Sequence, residues 1–251
     1  MRLGDLSRCL AQETEELLEL AEGILGISRA RLLVEGVDLG GARALLETLL
    51  GYPKGYPVPY ILGRVPFYGK VFLVDERVLI PRSETEGLID IVLSLGISPK
   101  RIVDVGTGSG VLGITLKLLF PDALVILTDL SPDALKVAKR NALRLGAEVR
   151  MVATDLLAGL RGEYDLIVSN PPYVAEGEVG IYDPRVRFEP EMALRGGRTG
   201  YEITERLVRE AMGMLSPGGY LIFESDPKHF HRLPAGAEIR GRFVILKRGG
   251  A

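Results

Sequence analysis

The sequence has no tryptophan, one cysteine and two histidines among its 251 residues. The cysteine, Cys9, cannot form an internal disulfide and has no candidate base near it in the sequence, so we interpret it as a small buried side chain. His229 and His231 alternate with Phe230 in "KHFH", which holds no further ligand type, and we expect them to be structural or solvated. The sequence therefore predicts neither redox chemistry nor a metal cofactor.

Long apolar runs and a surplus of positive charge are also missing. The longest apolar candidate, residues 114–127, is interrupted by Lys117, Pro121 and Asp122, so it falls short of the roughly 18 residues that a membrane helix needs. The N-terminus lacks the plan of a secretory signal, and we expect a cytoplasmic protein without a membrane partner. The formal net charge of −2 disfavours a general nucleic-acid-binding protein, although it does not exclude an RNA substrate.

Three kinds of pattern follow one another along the chain. Apolar residues at helical spacing predict a small helical domain over residues 1–57. The prolines and glycines of "GYPKGYPVPYILG" are expected to break any helix, and the alternating stretch that follows predicts a β-hairpin turning at Gly69. We interpret residues 58–82 as this connector and hairpin. Residues 83–251 alternate helical and strand patterns, which is typical of an α/β domain.

The third pattern predicts individual elements. Helices are expected over 84–95, 111–119, 132–145 and 201–215, and strands over 101–106, 123–130, 148–155, 164–170 and 218–225, with a closing hairpin around Gly241. Apolar strands that alternate with helices form parallel sheets covered on both faces. The predicted fold is therefore Rossmann-like, with a doubly wound and mostly parallel sheet.

A glycine-rich loop, "VDVGTGSGVLG", joins a predicted strand to a predicted helix, which is where such sheets bind nucleotide-like ligands. Gly106, Gly108 and Gly110 remove side chains, so that the backbone can approach a ligand. The spacing also fits the dinucleotide fingerprint, and a plain glycine-rich turn stays open as an alternative. Asp104, just before the loop, would repel a pyrophosphate and attract a cationic ligand instead.

Two further carboxylates end the next predicted strands. Asp129 is placed to accept hydrogen bonds from a ribose diol, and Asp155 to accept from an adenine amine. Together with Asp104 they suit a ligand that carries an amino group, a sulfonium and an adenosine, namely S-adenosylmethionine. The alternative is that they cap the following helices. For Asp129 this role is taken by Ser131 and Pro132, a good cap and a good first helical residue.

The tetrapeptide "NPPY" ends the strand "YDLIVS" at the same predicted sheet edge. Asn170 is one of only two asparagines in the chain, and Pro171 and Pro172 fix the backbone after it. The Asn170 side-chain carbonyl and the next backbone carbonyl offer two acceptors for the two hydrogens of a planar NH₂ group. Tyr173 is placed to stack on that group. The corner predicts a site for methyl transfer to an adenine, guanine or glutamine NH₂ group.

The whole set of motifs resembles the protein-glutamine N5-methyltransferases that act on peptide-chain release factors. The resemblance spans nearly the full chain and is carried by "PVPYILG", "IPRSETE", "DVGTGSG", "DLSPDALKVAKRNA", "NPPY", "FEPEMAL" and "LSPGGYLIFE". It implies a class I methyltransferase fold, with S-adenosylmethionine as methyl donor, S-adenosylhomocysteine as product and no metal. It also implies a monomer whose partner is a release factor, docked with help from the helical domain, and no direct nucleic-acid binding.

The resemblance also assigns site residues. The implied cofactor contacts are Gly106, Thr107, Gly108, Ser109, Gly110, Asp129, Asp155, Leu156, Asn170 and Phe72, with residues 80–84 as a further wall of the pocket. The target glutamine, in a Gly-Gly-Gln loop, is held by Asn170, Pro171, Pro172 and Tyr173, with catalytic roles for Asn170, Pro171 and Tyr173.

The chain departs from the family pattern in two places. A short segment, residues 225–236, stands where the family usually continues with Gly, Gln and a long helix, and Ser83 replaces the commoner proline. An N6-adenine or N2-guanine methyltransferase stays open as the alternative activity. The first 60 residues carry more acidic than basic side chains, which disfavours a nucleic-acid recognition module. A non-catalytic scaffold is disfavoured by the intact Asn170 and glycine loop.

Overall fold

The structure, a computed structural model, describes residues 14–53, 55–178 and 184–249, so the interpretation of Cys9 lies outside the described residues. The chain divides into two compact units, Met1–Arg64 and Val65–Ala251. The division falls inside the stretch 58–82 that the sequence predicts as a connector. No helix in the described part of the chain is long and apolar enough to cross a bilayer.

The first unit is helical, as its apolar spacing predicts. Its described helices are α1 (Thr14–Leu25), α2 (Arg29–Glu35), α3 (Leu39–Leu50) and α4 (Val58–Leu62). Leu17, Leu45 and Val58 are buried in one small core that draws on all four helices. The α3 helix begins after Asp38, whose carboxylate accepts a hydrogen bond from the Gly41 amide at 2.7 Å and so satisfies a free N–H of the first turn.

The α4 helix shows that the expectation of a fully helix-free connector is wrong. Pro57 stands at its N-cap and Pro59 in its first turn, where a backbone N–H has no partner inside the helix. The N–H that proline lacks therefore costs little at these positions, and its fixed φ favours a helical start. Gly63 ends the helix with a φ of 66°, in the left-handed region that glycine adopts without strain.

The predicted hairpin is present and consists of β1 (Arg64–Phe67) and β2 (Lys70–Leu73). Tyr68 and Gly69 form its turn with φ values of 47° and 69°, the combination that a tight two-residue hairpin turn requires. Phe67 and Phe72 are both buried, and their ring centroids lie 6.1 Å apart in an edge-to-face contact.

Most strands of the second unit form one seven-stranded sheet. The strands that follow the hairpin in this unit are β3 (Arg101–Val105), β4 (Leu124–Asp129), β5 (Arg150–Ala153), β6 (Tyr164–Ser169), β7 (Val174–Ala175), β8 (Arg195–Gly197), β9 (Leu215–Glu224), β10 (Glu238–Arg240) and β11 (Phe243–Lys247). β7 and β8 pair with each other, and the sheet order is β10-β11-β9-β6-β3-β4-β5. Among these described strands of the sheet, the pairings of β11 are antiparallel and the others parallel.

The helices of the second unit are α5 (Glu86–Ser94), α6 (Val111–Leu119), α7 (Pro132–Leu145) and α8 (Glu202–Met214). The α7 helix has the bounds that the sequence predicts, because Ser131 caps it by accepting a hydrogen bond from the Ala134 amide at 3.2 Å and Gly146 ends it with a φ of 68°. The other predicted helices and strands form within three residues of their expected ends. The predicted doubly wound, mostly parallel fold is confirmed.

The core of the second unit lies between the sheet and its helices. Val103, Ile167 and Leu221, from three neighbouring strands, are fully buried and pack with Leu207 and Ala211 of α8. The central strands are apolar because both of their faces are covered, as a parallel sheet requires. This core fixes the strand ends that form the site.

The segment after β9 is a 3₁₀ helix, Pro227–Arg232, and not a long α-helix. His229 is buried in it, with Nε2 3.2 Å from the carbonyl oxygen of Thr199, and burial lowers the pKa of its imidazole. His231 is exposed. One histidine is thus buried and the other exposed to solvent. The described residues contain no cluster of three side chains suited to hold a metal ion.

Candidate active site

A pocket of about 280 Å³ opens at the carboxyl ends of β3, β4 and β6. Ligands of doubly wound sheets bind at this edge. Six of the predicted cofactor residues line it, namely Gly106, Gly108, Asp129, Asp155, Leu156 and Asn170. Four others do not line it and are buried, namely Thr107, Ser109, Gly110 and Phe72, and their predicted contacts stay predictions.

The glycine loop is shaped by Asp104, which ends β3 together with Val105. Its Oδ2 accepts hydrogen bonds from the Thr107 hydroxyl at 2.5 Å and from the Gly113 amide at 2.8 Å. The Thr107 amide in turn donates to the carbonyl of Thr128 on the neighbouring strand at 2.9 Å. These bonds hold the loop in one conformation and aim it at the pocket.

Asp104 itself does not reach the pocket, although the sequence suggests that it meets a cationic ligand. It is 1 % exposed, and its Oδ1 has no hydrogen-bond partner among the described residues. Burial raises the pKa of Asp104 to about 6, while the bonds from Thr107 and Gly113 oppose that rise. Any attraction for a cation would act through the loop and not by direct contact.

Gly106 and Gly108 leave room for a ligand at the loop. Their φ values are 67° and 55°, and a Cβ atom added at either position meets nothing within 4 Å. Such a Cβ would stand in open space at the pocket wall, where it would displace a ligand that approaches the backbone. The loop is therefore open to a ligand that approaches its backbone.

Asp129 ends β4 at the pocket. Its Oδ2 accepts a hydrogen bond from the Gly108 amide at 2.9 Å, and its Oδ1 accepts one from the Ser131 amide at 2.8 Å. Burial raises the pKa of this carboxyl, and the hydrogen bonds from backbone amides lower it. A carboxylate has about four acceptor sites, so Asp129 keeps acceptor capacity beyond these bonds.

Asp155 and Leu156, which follow β5, also line the pocket. Asp155 is half exposed and pairs with Arg206 at 2.7 Å, so its charge has a protein partner at the pocket rim. Leu156 has a φ of 48°, an uncommon conformation for a leucine that turns the chain sharply at the pocket. Its side chain packs against the core of the second unit.

Asn170 follows β6 and lines the pocket. Its Nδ2 donates a hydrogen bond to the Thr85 hydroxyl oxygen at 3.3 Å, and the Thr85 hydroxyl donates to Glu224 Oε2 at 2.9 Å. Within the described residues, Asn170 Oδ1 has no protein donor. The side-chain carbonyl therefore stays available to a ligand, as the sequence suggests.

The rest of the corner is held in place by its neighbours. Pro172 lines the pocket, whereas Pro171 is buried. Tyr173 turns away from the pocket, and its hydroxyl donates to Glu224 Oε1 at 3.3 Å. Burial raises the pKa of Tyr173 to about 12, with the charge of Glu224 as a further cause, so the hydroxyl stays protonated. The predicted stacking of Tyr173 on a substrate stays a prediction.

Two glycines let a later segment run against this corner. A Cβ atom at Gly196 would lie 2.6 Å from the Pro172 carbonyl oxygen, and one at Gly200 would overlap the carbonyl oxygen of Tyr173. Only glycine permits such close approach of two backbones. The motif "RGGRTG" thus has a packing role that the sequence does not reveal.

Residues 80–84, which the sequence predicts as a wall of the pocket, do not line it. The lining residues from this part of the chain are Arg77, Val78 and Leu79. That stretch is instead fixed by Glu189 of the "FEP" motif, which accepts a hydrogen bond from the Ile80 amide at 3.2 Å and pairs with Arg82 at 2.5 Å.

Asn141 is a structural residue that the sequence does not identify, although its rarity in this chain is a signal. It lies on α7 and is 0 % exposed. Its Oδ1 accepts from the Leu73 amide at 2.7 Å, and its Nδ2 donates to the carbonyls of Leu73 at 2.9 Å and of Ser109 at 2.8 Å. One side chain therefore ties the hairpin to the glycine loop.

Comparison with known proteins agrees with this geometry. A family model described as Methyltransferase small domain matches residues 86–182. The release factor glutamine methyltransferase of Deinococcus radiodurans is 38 % identical over 250 residues, which cover 92 % of this chain and 90 % of that protein. The chain belongs to the release factor glutamine methyltransferase family. The resemblance drawn from the motifs is thereby confirmed, and the chain is a methyltransferase.

Two further comparisons extend this result. The family member of Koribacter versatilis is 44 % identical over 185 residues, which cover 70 % of this chain and 66 % of that protein. Among solved structures, a 16S rRNA N2 G1207 methyltransferase of T. thermophilus in complex with AdoMet and guanosine has a TM-score of 0.55 at 16 % identity. That alignment covers 75 % of this chain and 50 % of the other, and at this identity it concerns the fold alone.

Proposed function

We propose that this chain transfers a methyl group from S-adenosylmethionine to the side-chain amide nitrogen, N5, of the glutamine in the Gly-Gly-Gln loop of a peptide-chain release factor. Family membership supports the reaction and the substrate, because the relatives are named for them. The observation that carries the proposal is Asn170, an amide fixed at the sheet edge with its carbonyl oxygen open to the pocket.

The pocket fits S-adenosylmethionine by the chemistry of its lining. Gly106 and Gly108 give the ligand access to the loop backbone, and Asp129 keeps acceptor sites for the ribose hydroxyls. Asp155 stands where an adenine amine would find an acceptor, although it shares its charge with Arg206. When bound, S-adenosylmethionine supplies an electrophilic methyl group on a sulfonium. The protein holds the acceptor nitrogen in line with it.

The corner addresses the poor nucleophilicity of an amide nitrogen, whose lone pair is delocalised into the carbonyl. Asn170 Oδ1 and the backbone carbonyl of Pro171 would accept the two hydrogens of the glutamine NH₂ group. These two dipoles favour the positive charge that develops on nitrogen during attack, and they fix its direction. The proton leaves to solvent afterwards, so no general base is needed before the methyl group is transferred.

We further propose that the helical unit contributes to docking the release factor. A glutamine side chain gives little area for recognition, so the enzyme needs contacts with the rest of the partner to select it. We assign the first unit only a role in binding the release factor. Deleting residues 1–57 and measuring KM for the release factor tests this role.

The direct test of activity uses labelled S-adenosylmethionine. The protein is incubated with a release factor, with the same factor carrying a Gln→Asn change in its Gly-Gly-Gln loop, and with total RNA and DNA. We expect label only on the unaltered factor. Label on the nucleic acids, and none on the factor, would assign the alternative N6-adenine or N2-guanine activity.

Asn170→Ala tests the residue that carries the proposal. We expect kcat to fall by roughly a hundredfold, the scale of one lost transition-state hydrogen-bonding group. Binding of S-adenosylmethionine and thermal unfolding serve as controls that the pocket and fold are retained. A variant with unchanged kcat would exclude the proposed role of Asn170.

A further inference from the structure

Glu224, at the carboxyl end of β9, lies beneath the site and is 1 % exposed. It is connected to the pocket by two hydrogen bonds, the first from the Thr85 hydroxyl to Glu224 Oε2 at 2.9 Å and the second from Asn170 Nδ2 to Thr85 Oγ1 at 3.3 Å. Arg242 places its Nε 3.3 Å from the other carboxylate oxygen, so the buried charge has a counter-charge. One line of side chains thus runs from a buried carboxylate to the pocket wall.

The direction of these hydrogen bonds follows from the number of protons available. A carboxylate only accepts, a hydroxyl has one proton to give, and an amide has a donor end and an acceptor end. Thr85 gives its proton to Glu224, so its oxygen is left to accept from Asn170. Asn170 must therefore turn its NH₂ group toward Thr85 and its carbonyl oxygen toward the pocket.

We infer that Glu224 is a positioning residue which, through Thr85, selects the amide orientation in which Asn170 presents an acceptor to the substrate. The inference rests on the proposed methyl transfer to a glutamine amide, because a substrate NH₂ group needs an acceptor at this place. The two orientations of an asparagine amide have the same shape, so packing alone does not distinguish them. The rotated amide would point its own NH₂ group at the substrate, and two donors would face each other.

Glu224→Gln tests this role with almost no change in shape. The new amide donates to Thr85 Oγ1, which frees the Thr85 proton for Asn170 Oδ1 and favours the rotated orientation. We expect kcat to fall at least tenfold, with KM for S-adenosylmethionine within twofold, because Glu224 does not line the pocket. The matched control is Glu163→Gln, at an exposed glutamate paired with Arg248, for which we expect an unchanged kcat.

Substitutions at Thr85 provide a second, independent test. Thr85→Ser keeps the hydroxyl and is expected to keep kcat within about threefold, whereas the isosteric Thr85→Val removes it and is expected to lower kcat about tenfold. Because these two variants leave Glu224 in place, they decide the question even if Glu224→Gln does not fold.

The combined variant separates a relay from two independent structural effects. Without the hydroxyl, Glu224 has no hydrogen-bonded route to the Asn170 side chain, so Thr85→Val with Glu224→Gln should have the kcat of Thr85→Val alone. A kcat equal to the product of both single effects, or a fully active Glu224→Gln, would overturn the inference. Wild-type protein that transfers no methyl group to a release factor would instead refute the proposed function, so the two failures differ.

Discussion

The buried carboxyl of Asp104 makes the stability of this protein depend on pH in an uncommon direction. Its pKa is raised by burial from 3.8 to about 6. Between these values the folded protein binds a proton that the unfolded chain releases, so the free energy of unfolding falls as the pH rises from about 4 to about 6. The rise in pKa contributes about 3 kcal/mol to the free energy of unfolding at low pH, and this contribution is lost by about pH 7.

Asp104→Asn isolates this effect. The new carbonyl oxygen can accept the bonds of Oδ2, but the new NH₂ group takes the place of Oδ1, which lacks a partner in the described structure. Because these buried donors have no partner, they lower the free energy of unfolding of the variant by about 1–3 kcal/mol at every pH. The variant should therefore be less stable than wild type near pH 4, and as stable or more stable near pH 8.

The measurement is urea unfolding of both proteins at several pH values between 4 and 8, without ligand. Groups that titrate alike in both proteins cancel in the difference between their free energies of unfolding. We expect this difference to change by about 3 kcal/mol in favour of the variant, mostly between pH 4 and 6. A difference that is constant across this range, or that changes in favour of wild type, would refute the reasoning.

Three further substitutions have defined outcomes. Gly113→Ala places a Cβ atom into the side chain of Leu127, and it should lower the free energy of unfolding by about 3 kcal/mol; an unchanged urea midpoint would show that the site can relax. Asn141→Asp loses both donors of a fully buried amide, so its melting temperature should fall well below that of wild type, and more at pH 8 than at pH 5. Arg206→Ala breaks a half-exposed pair with Asp155 and should change the free energy of unfolding by less than about 1 kcal/mol in thermal melts; a loss above about 2 kcal/mol would contradict a surface role.

Local sequence patterns are sufficient to predict most helices and strands of the second unit. Helix α7 is predicted with its observed ends because a serine cap, a proline and a terminal glycine are signals within the sequence itself. The pocket residues Gly106, Asp129 and Asn170 are predicted for a related reason. They follow recognisable strands, and parallel strands bring their carboxyl ends to one edge.

Hydrogen bonds between residues far apart in the chain cannot be predicted from the sequence patterns. Thr85 and Glu224 are 139 residues apart, and Asn141 and Leu73 are 68 apart, so no local period connects them. Such contacts depend on side-chain rotamers that the packed core selects. The pairing of β7 with β8 is missed for another reason, since strands of two and three residues are too short for an alternating pattern.

The settings of the two asparagines have a consequence for chemical ageing. Asparagine loses ammonia when the backbone nitrogen of the next residue attacks its side chain, and after Asn170 that nitrogen belongs to Pro171, which has no hydrogen to give up. Asn141 is held inside a helix by three hydrogen bonds and away from water. This route is closed at Asn170 in the folded and the unfolded chain alike, and at Asn141 it would first require unfolding. Prolonged heating should therefore leave both amides chemically intact for as long as the fold persists.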